Sequence, residues 1–194
     1  MVQLKILGIP GSLRRNSYNK MLLNAAREML PENSTLEIFE LNGIPPFNQD
    51  EENNPPARVR EFKAKIREAD AILFSTPEYN FSVPGVLKNA IDWASRPYGD
   101  NAFDGKPAAI MSASIGMLGG ARAQYHLRQI FVYLNVYTIN QPEVFVTFAP
   151  QKFDSQGRLI DQDSRKFVSL LLRNLVDLTL WVKQRKSSQI AARS

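Results

Sequence analysis

The chain has 194 residues, of which 44% are hydrophobic and 22% charged, and a formal net charge of +5, values typical of an ordinary globular protein rather than a disordered one. It contains no cysteine and a single histidine, His126, which excludes disulfides, zinc–thiolate centres and multi-histidine metal sites, so we expect no bound metal. No Lys/Arg block is interleaved with aromatic residues and no segment approaches the ~18 apolar residues of a membrane span, so we expect neither a nucleic-acid partner nor membrane insertion. The absence of cysteine fits a reducing compartment, and we expect a cytoplasmic location.

The apolar periodicity alternates between strand and helix along the whole chain. In chain order it predicts a strand at 3–9, a helix at 17–30, a strand at 35–41, an exposed loop at 42–56, a helix at 58–68, a strand at 69–76, a helix at 84–94, a strand at 107–114, a helix at 119–134, a strand at 136–148 interrupted near Gln141 and Pro142, and a helix at 163–186. This alternation predicts an α/β fold, with a five-stranded parallel sheet covered by helices on both faces. We expect one domain over residues 1–186 and a flexible tail over 187–194.

In such a sheet, ligands bind at the carboxyl ends of the strands. The first loop there, G-S-L-R-R-N-S-Y-N at 11–19, joins a strand to a helix start, where unpaired backbone N–H groups and the positive end of the helix favour an anion. Ser12 and Ser17 add hydroxyl donors, and Arg14 can fork onto phosphate oxygens. The loop therefore indicates a phosphate site, although Asn16 or Ser17 would also serve as a plain helix cap.

The loop after the third strand, T-P-E-Y-N-F-S-V-P-G-V-L-K-N-A-I-D-W at 76–93, is the second candidate. Pro77 ends the strand, residues 78–80 lie at the edge of the sheet, and Pro84 begins a helix whose free N–H groups point back to the same edge. A flat, electron-poor ring would find backbone donors there, together with an aromatic neighbour in Tyr79. A proline-bounded turn with a tyrosine packed on the core is the alternative.

These loops resemble a known family. The second is similar to the P-E-Y-N-x-S-x-P-G-x-L-K-N-A-I-D-W signature of the NADPH-dependent FMN reductase family, which includes quinone, chromate and azo-dye reductases, and the first resembles its G-S-L-R-x-x-S-x-N loop. Residues 112–129 look like the segment after strand four in the chromate/quinone reductase branch. The resemblance spans residues 4–142 with the motifs in order.

The resemblance implies a flavodoxin-like three-layer sandwich with strand order 2-1-3-4-5, bound FMN, and homodimers or homotetramers with the flavin near a subunit boundary. The residues that it implies for FMN are Ser12, Arg14, Ser17, Tyr18 and Asn19 at the phosphate and ribityl chain, Pro77, Glu78, Tyr79 and Asn80 at the ring, and Ser114 and Gly116 beside the flavin. Because the flavin carries the chemistry, we expect no catalytic side chain, and His126 is expected on a helix surface.

The expected activity is hydride transfer from NADH or NADPH through FMN to small acceptors such as quinones, chromate or azo dyes, in a ping-pong cycle. The preference between NADH and NADPH stays open. Three alternatives are a flavodoxin that only carries electrons, a binding module that uses the basic surface, and an NAD-linked dehydrogenase. The last lacks its G-x-G-x-x-G fingerprint in this sequence.

Overall fold

Strands and helices alternate along residues 3–191, which the computed structural model describes, with side chains described as far as residue 188. The strands are β1 (Leu4–Pro10), β2 (Ser34–Ile38), β3 (Ala71–Ser75), β4 (Pro107–Ala113), β5 (Tyr137–Thr138) and β6 (Val144–Val146), and the helices are α1 (Tyr18–Glu28), α2 (Ala57–Glu68), α3 (Gly85–Ala94), α4 (Ala121–Leu134) and α5 (Gln162–Ala191). Each element predicted from the sequence is present, with shifted ends.

The strands form one parallel sheet in the order β2-β1-β3-β4, with β5 and β6 both paired to β4. β5 pairs with the beginning of β4 and β6 with its end, so the two are halves of the predicted fifth strand. The interruption falls between residues 138 and 144 and includes Pro142, which has no N–H to donate to a sheet. The predicted order 2-1-3-4-5 and the flavodoxin-like fold are confirmed.

Side chains on the central strands alternate between two hydrophobic cores, because successive residues of a strand point to opposite faces of the sheet. Ala71 and Leu73 of β3 join the core beneath α1 and α5. Ile72 and Phe74 of the same strand join the core beneath α2, α3 and α4. All five residues of β3 are buried, as expected for a strand covered on both faces.

The segment 42–56 was predicted to be an exposed loop, but part of it packs on α3. The carbonyl of Pro45 accepts hydrogen bonds from Trp93 Nε1 and Asn89 Nδ2, both at 2.8 Å. The Phe47 ring meets the Trp93 ring edge-on, with centroids 5.0 Å apart. These partners lie more than 40 residues away along the chain, so local periodicity does not reveal them.

Two of the shifted element ends differ from the prediction by at least three residues. β2 stops at Ile38, although Leu41 beyond it is still buried, so apolar residues continue after the strand pairing has ended. α5 runs to Ala191, five residues past the predicted end at 186, and residues 192–194 lie outside the described part of the chain. None of the helices within residues 3–191 combines the length and apolar character needed to cross a lipid bilayer.

Candidate functional site

A cleft of about 340 Å³ opens at the carboxyl edge of the sheet, where β1, β3 and β4 end. Its volume lies in the range of small-molecule pockets. The lining residues are Ser12, Arg14, Ser17, Tyr18 and Asn19 around the start of α1, Pro77, Glu78 and Tyr79 after β3, and Ala113, Ser114 and Ile115 at the end of β4. The three loops selected from the sequence therefore meet in one cavity.

Nine of the eleven predicted site residues line this cleft. Asn80 and Gly116 do not, and both are exposed beside it. Ala113 and Ile115 line the cleft although the sequence analysis did not select them. Their side chains have no donor or charge, and the only available signal was their position next to Ser114 at the end of a buried strand.

The start of α1 presents hydrogen-bond donors to the cleft. Ser17 is the N-cap residue, and its buried Oγ accepts the N–H of Asn19 at 3.2 Å, which leaves its own hydroxyl proton free to donate. The N–H groups of Tyr18 and Lys20, also in the first turn, have no carbonyl four residues back to bind. Ser12, equally buried, accepts the N–H of Arg14 at 3.3 Å. This arrangement suits a phosphate group.

Most of the hydrogen bonds that the Asn19 side chain can form are made to other residues of the protein. Its Nδ2 donates to the Ala113 carbonyl at 2.9 Å, and its Oδ1 accepts the Ala113 N–H at 2.9 Å and the Ser75 hydroxyl at 3.2 Å. Three of the four hydrogen bonds that an amide can form are therefore used internally. Through these bonds Asn19 also links α1 to the ends of β3 and β4.

The charges around the cleft favour an anionic ligand. Arg14 is exposed at the rim, where its guanidinium donates to the Asn16 carbonyl and lies 5.5 Å from the centre of the Tyr18 ring. Glu78 is the one carboxylate among the lining residues, and Arg122 Nη1 pairs with it at 3.1 Å. With that carboxylate paired, Arg14 and the positive end of α1 are the charges at the cleft that attract an anion.

Glu78 also caps α4. Its Oε2 accepts the backbone N–H groups of Arg122 at 3.0 Å and Ala123 at 3.4 Å, in the first turn of that helix, where Gly120 at the N-cap position offers no side chain. A carboxylate is favourable there because the N-terminus of a helix is positive. Besides lining the cleft, Glu78 therefore holds the loop after β3 against α4.

Replacing Glu78 with alanine should lower the free energy of unfolding by about 1–2 kcal/mol, because the first turn of α4 loses its acceptor. The midpoint of urea denaturation measures this change. Glu61→Ala is the matched control, since it removes a surface ion pair with Arg58 that should contribute less than about 1 kcal/mol. Equal midpoints for the two variants would contradict the capping role.

The turn at 79–82 is held by its own backbone and by α4. Its end residues exchange hydrogen bonds of 3.1 and 3.0 Å, and Asn80 and Phe81 between them both have positive φ, as in the tight turns of β-hairpins. The Ser82 Oγ lies 2.9 Å from Nδ1 of His126. His126 is exposed on α4, as predicted for a helix surface.

The start of α3 contributes less to the cleft than its sequence suggested. Pro84 and Gly85 are absent from the lining, which draws instead on residues 77–79. Gly85 is exposed, and a Cβ built on it would have no atom within 4 Å. The residues that line this cleft come from the loop before α1, the start of α1, and the ends of β3 and β4.

Comparison with known proteins identifies relatives over most of the chain. Residues 4–151 match the sequence model of the family described as NADPH-dependent FMN reductase. An NAD(P)H-dependent FMN reductase of Pseudomonas aeruginosa is 51% identical over 183 residues, covering 93% of this chain and 96% of the relative. An NAD(P)H:quinone oxidoreductase of Solanum tuberosum is 46% identical over 188 residues, covering 93% and 95%.

The fold matches a solved relative as well. The flavoenzyme NAD(P)H:(acceptor) oxidoreductase from Paracoccus denitrificans superposes with a TM-score of 0.84 at 32% identity, covering 93% of this chain and 98% of that one. The family match contains all three segments that line the cleft, which confirms the resemblance noted from the sequence. The chain belongs to the NADPH-dependent FMN reductase family and is an oxidoreductase.

Proposed function

We propose that this chain binds FMN in the cleft and reduces quinones at the expense of NADH or NADPH. One observation carries the proposal: donors suited to a phosphate at the start of α1 share a single cavity with the ends of β3 and β4. Relatives named as an FMN reductase and as a quinone oxidoreductase support the same cofactor and class of acceptor.

The groups that line the cleft suit the two parts of FMN. Around the start of α1, the hydroxyls of Ser12 and Ser17, the free N–H groups of the first turn and the charge of Arg14 suit a phosphate dianion. The segments 77–79 and 113–115 provide backbone groups and apolar surface for a flat ring, and the two sides meet where Ser12 Oγ lies 3.5 Å from the Tyr79 hydroxyl. The exposed ring of Tyr79 supplies an aromatic neighbour.

When bound, FMN would supply the chemistry of hydride transfer between the nicotinamide and the acceptor, in the proposed ping-pong cycle. The protein orients the ring, and its positive potential stabilises negative charge that develops on reduction. His126 lies outside the lining and is engaged with Ser82, so we assign it no proton transfer. No side chain of the cleft is assigned a catalytic role.

The purified protein should be yellow, contain one FMN per chain and lose its visible absorbance on anaerobic addition of NADPH or NADH. Steady-state oxidation of the nicotinamide with a quinone, chromate or an azo dye then ranks the acceptors, and parallel double-reciprocal lines indicate ping-pong kinetics. A colourless protein that takes up no added FMN contradicts the proposal. Reduction without turnover on any acceptor indicates an electron carrier instead.

We also propose that the chain forms a dimer or tetramer in the cytoplasm, with the cleft near the subunit boundary. In and beside the cleft, the apolar side chains of Phe81, Ile115 and Met117 are 66%, 71% and 73% exposed, and a subunit boundary here would cover them. Light scattering coupled to size-exclusion chromatography measures the assembly, and a monomer at micromolar concentration contradicts this part of the proposal.

A further inference from the structure

We propose that Asn19 is a positioning residue that sets the phosphate end of the cleft relative to its ring end, without itself having to contact the ligand. This inference rests on the proposed function, because it concerns the same FMN site. It follows from the way in which the Asn19 amide, 2% exposed, completes the edge of the sheet.

The amide takes the place of a missing strand residue. β3 and β4 pair in register as far as Ser75 and Met111, and the Thr76 N–H still donates to the Met111 carbonyl at 3.1 Å. The described β3–β4 register ends at Ser75 and Met111, and no β3 residue pairs with Ala113 in it. The N–H and carbonyl of Ala113 bind Asn19 instead, each at 2.9 Å.

This pairing connects the two halves of the cleft. Asn19 lies in the first turn of α1, beside the donors suited to a phosphate, whereas Ala113 is in the segment assigned to the ring. The Ser75 hydroxyl, completely buried, bonds the same Oδ1 at 3.2 Å and keeps the amide in this orientation. A ligand that spans both halves gains affinity when they are held in advance at the right separation.

Loss of the amide should affect the phosphate end more than the ring end. Ala113 is also held from its other side, because it pairs in register with Val146 and the next N–H, that of Ser114, donates to the Val146 carbonyl at 3.0 Å. The side-chain hydrogen bonds described between the first turn of α1 and β3 or β4 come from Asn19, to Ala113 and Ser75. Riboflavin, which has the ring but no phosphate, therefore distinguishes the two ends.

The test measures the dissociation constants of FMN and riboflavin for the apoprotein, by quenching of flavin fluorescence, in the wild type and in Asn19→Ala. We expect FMN affinity to fall about tenfold or more and riboflavin affinity to change less than about threefold. Asn101→Ala is the matched control. Its amide also bridges backbone groups, those of Leu134 and Phe103, but before the beginning of β4. This control variant should leave the ratio of FMN affinity to riboflavin affinity unchanged.

If Asn19→Ala loses thermal stability but keeps the wild-type ratio of FMN affinity to riboflavin affinity, the proposal is overturned. The amide would then have only a structural role. If Asn19→Ala does not fold, Ser75→Ala tests the proposal instead, because it removes only one hydrogen bond to the amide. We expect it to reduce the ratio of FMN affinity to riboflavin affinity about two- to fivefold. An unchanged ratio in Ser75→Ala then counts against positioning. A wild-type protein that binds FMN no better than riboflavin refutes the proposed phosphate site itself.

Discussion

Replacing Ser17 with aspartate should weaken FMN binding about 100- to 1,000-fold while leaving the apoprotein folded. The new carboxylate would occupy the N-cap position of α1, beside the donors assigned to the phosphate. Two like charges about 4 Å apart repel by ~4 kcal/mol at an effective dielectric constant of about 20, which corresponds to roughly three orders of magnitude in affinity before screening by salt.

Folding should be spared because aspartate caps a helix about as well as serine. Fluorescence titration of the apoprotein with FMN measures the affinity, and a thermal melt measures the stability. Ser17→Asn is the control, since it also caps but carries no charge, and it should lose far less affinity. Equal losses in the two variants would mean that the phosphate lies elsewhere in the cleft.

Replacing Gly120 with alanine should lower the melting temperature by roughly 5–15 °C. Gly120 has φ +90°, which disfavours any side chain, and a Cβ there would lie 2.8 Å from the Cβ of Ser112. Ser112 is fully buried and held in place, since its hydroxyl donates to the Gly119 carbonyl and accepts from Gln124 Nε2 at 2.7 Å. Backbone strain and overpacking together cost about 2–5 kcal/mol, and each kcal/mol lowers the melting temperature by about 2–4 °C at this size.

Gly85→Ala is the matched control, because Gly85 also stands at the beginning of a helix but a Cβ there meets no atom within 4 Å. Its melting temperature should stay the same or rise slightly, since alanine reduces the freedom of the unfolded chain. Differential scanning calorimetry of both variants as apoproteins separates this effect from ligand binding. If Gly120→Ala has the same melting temperature as the wild type, α4 does not approach β4 as closely as described.

The cleft shows where inference from sequence succeeds. The alternation of apolar periods predicted the sheet and its helices, and the carboxyl ends of the strands then selected the three loops. Both signals are local: a strand buried on both faces, such as Ala71–Ser75, is recognisable from its own residues. The serines and the arginine of the first loop were chosen for their donors, and Ser12, Arg14 and Ser17 do line the cavity.

The sequence does not reveal which protein groups the polar residues of the cleft also bind. Asn19 and Glu78 have the chemistry of ligand contacts, but their side chains bind Ala113 and the start of α4. Those partners are 94 and 44 residues away along the chain. A polar group that becomes buried binds whichever donor or acceptor the fold brings near it, and no local pattern encodes that choice.

By itself, the sequence determined the class of the fold, the edge of the sheet that carries the site, and the kind of ligand that its loops suit, because strand period, turn residues and helix starts act over a few neighbouring residues. Only the tertiary structure decided that Ala113 and Ile115 line the cleft, that Gly85 lies outside the lining, and that Asn19 completes the edge of the sheet. These outcomes depend on distances between separate elements, which packing of the two cores sets once the whole chain has folded.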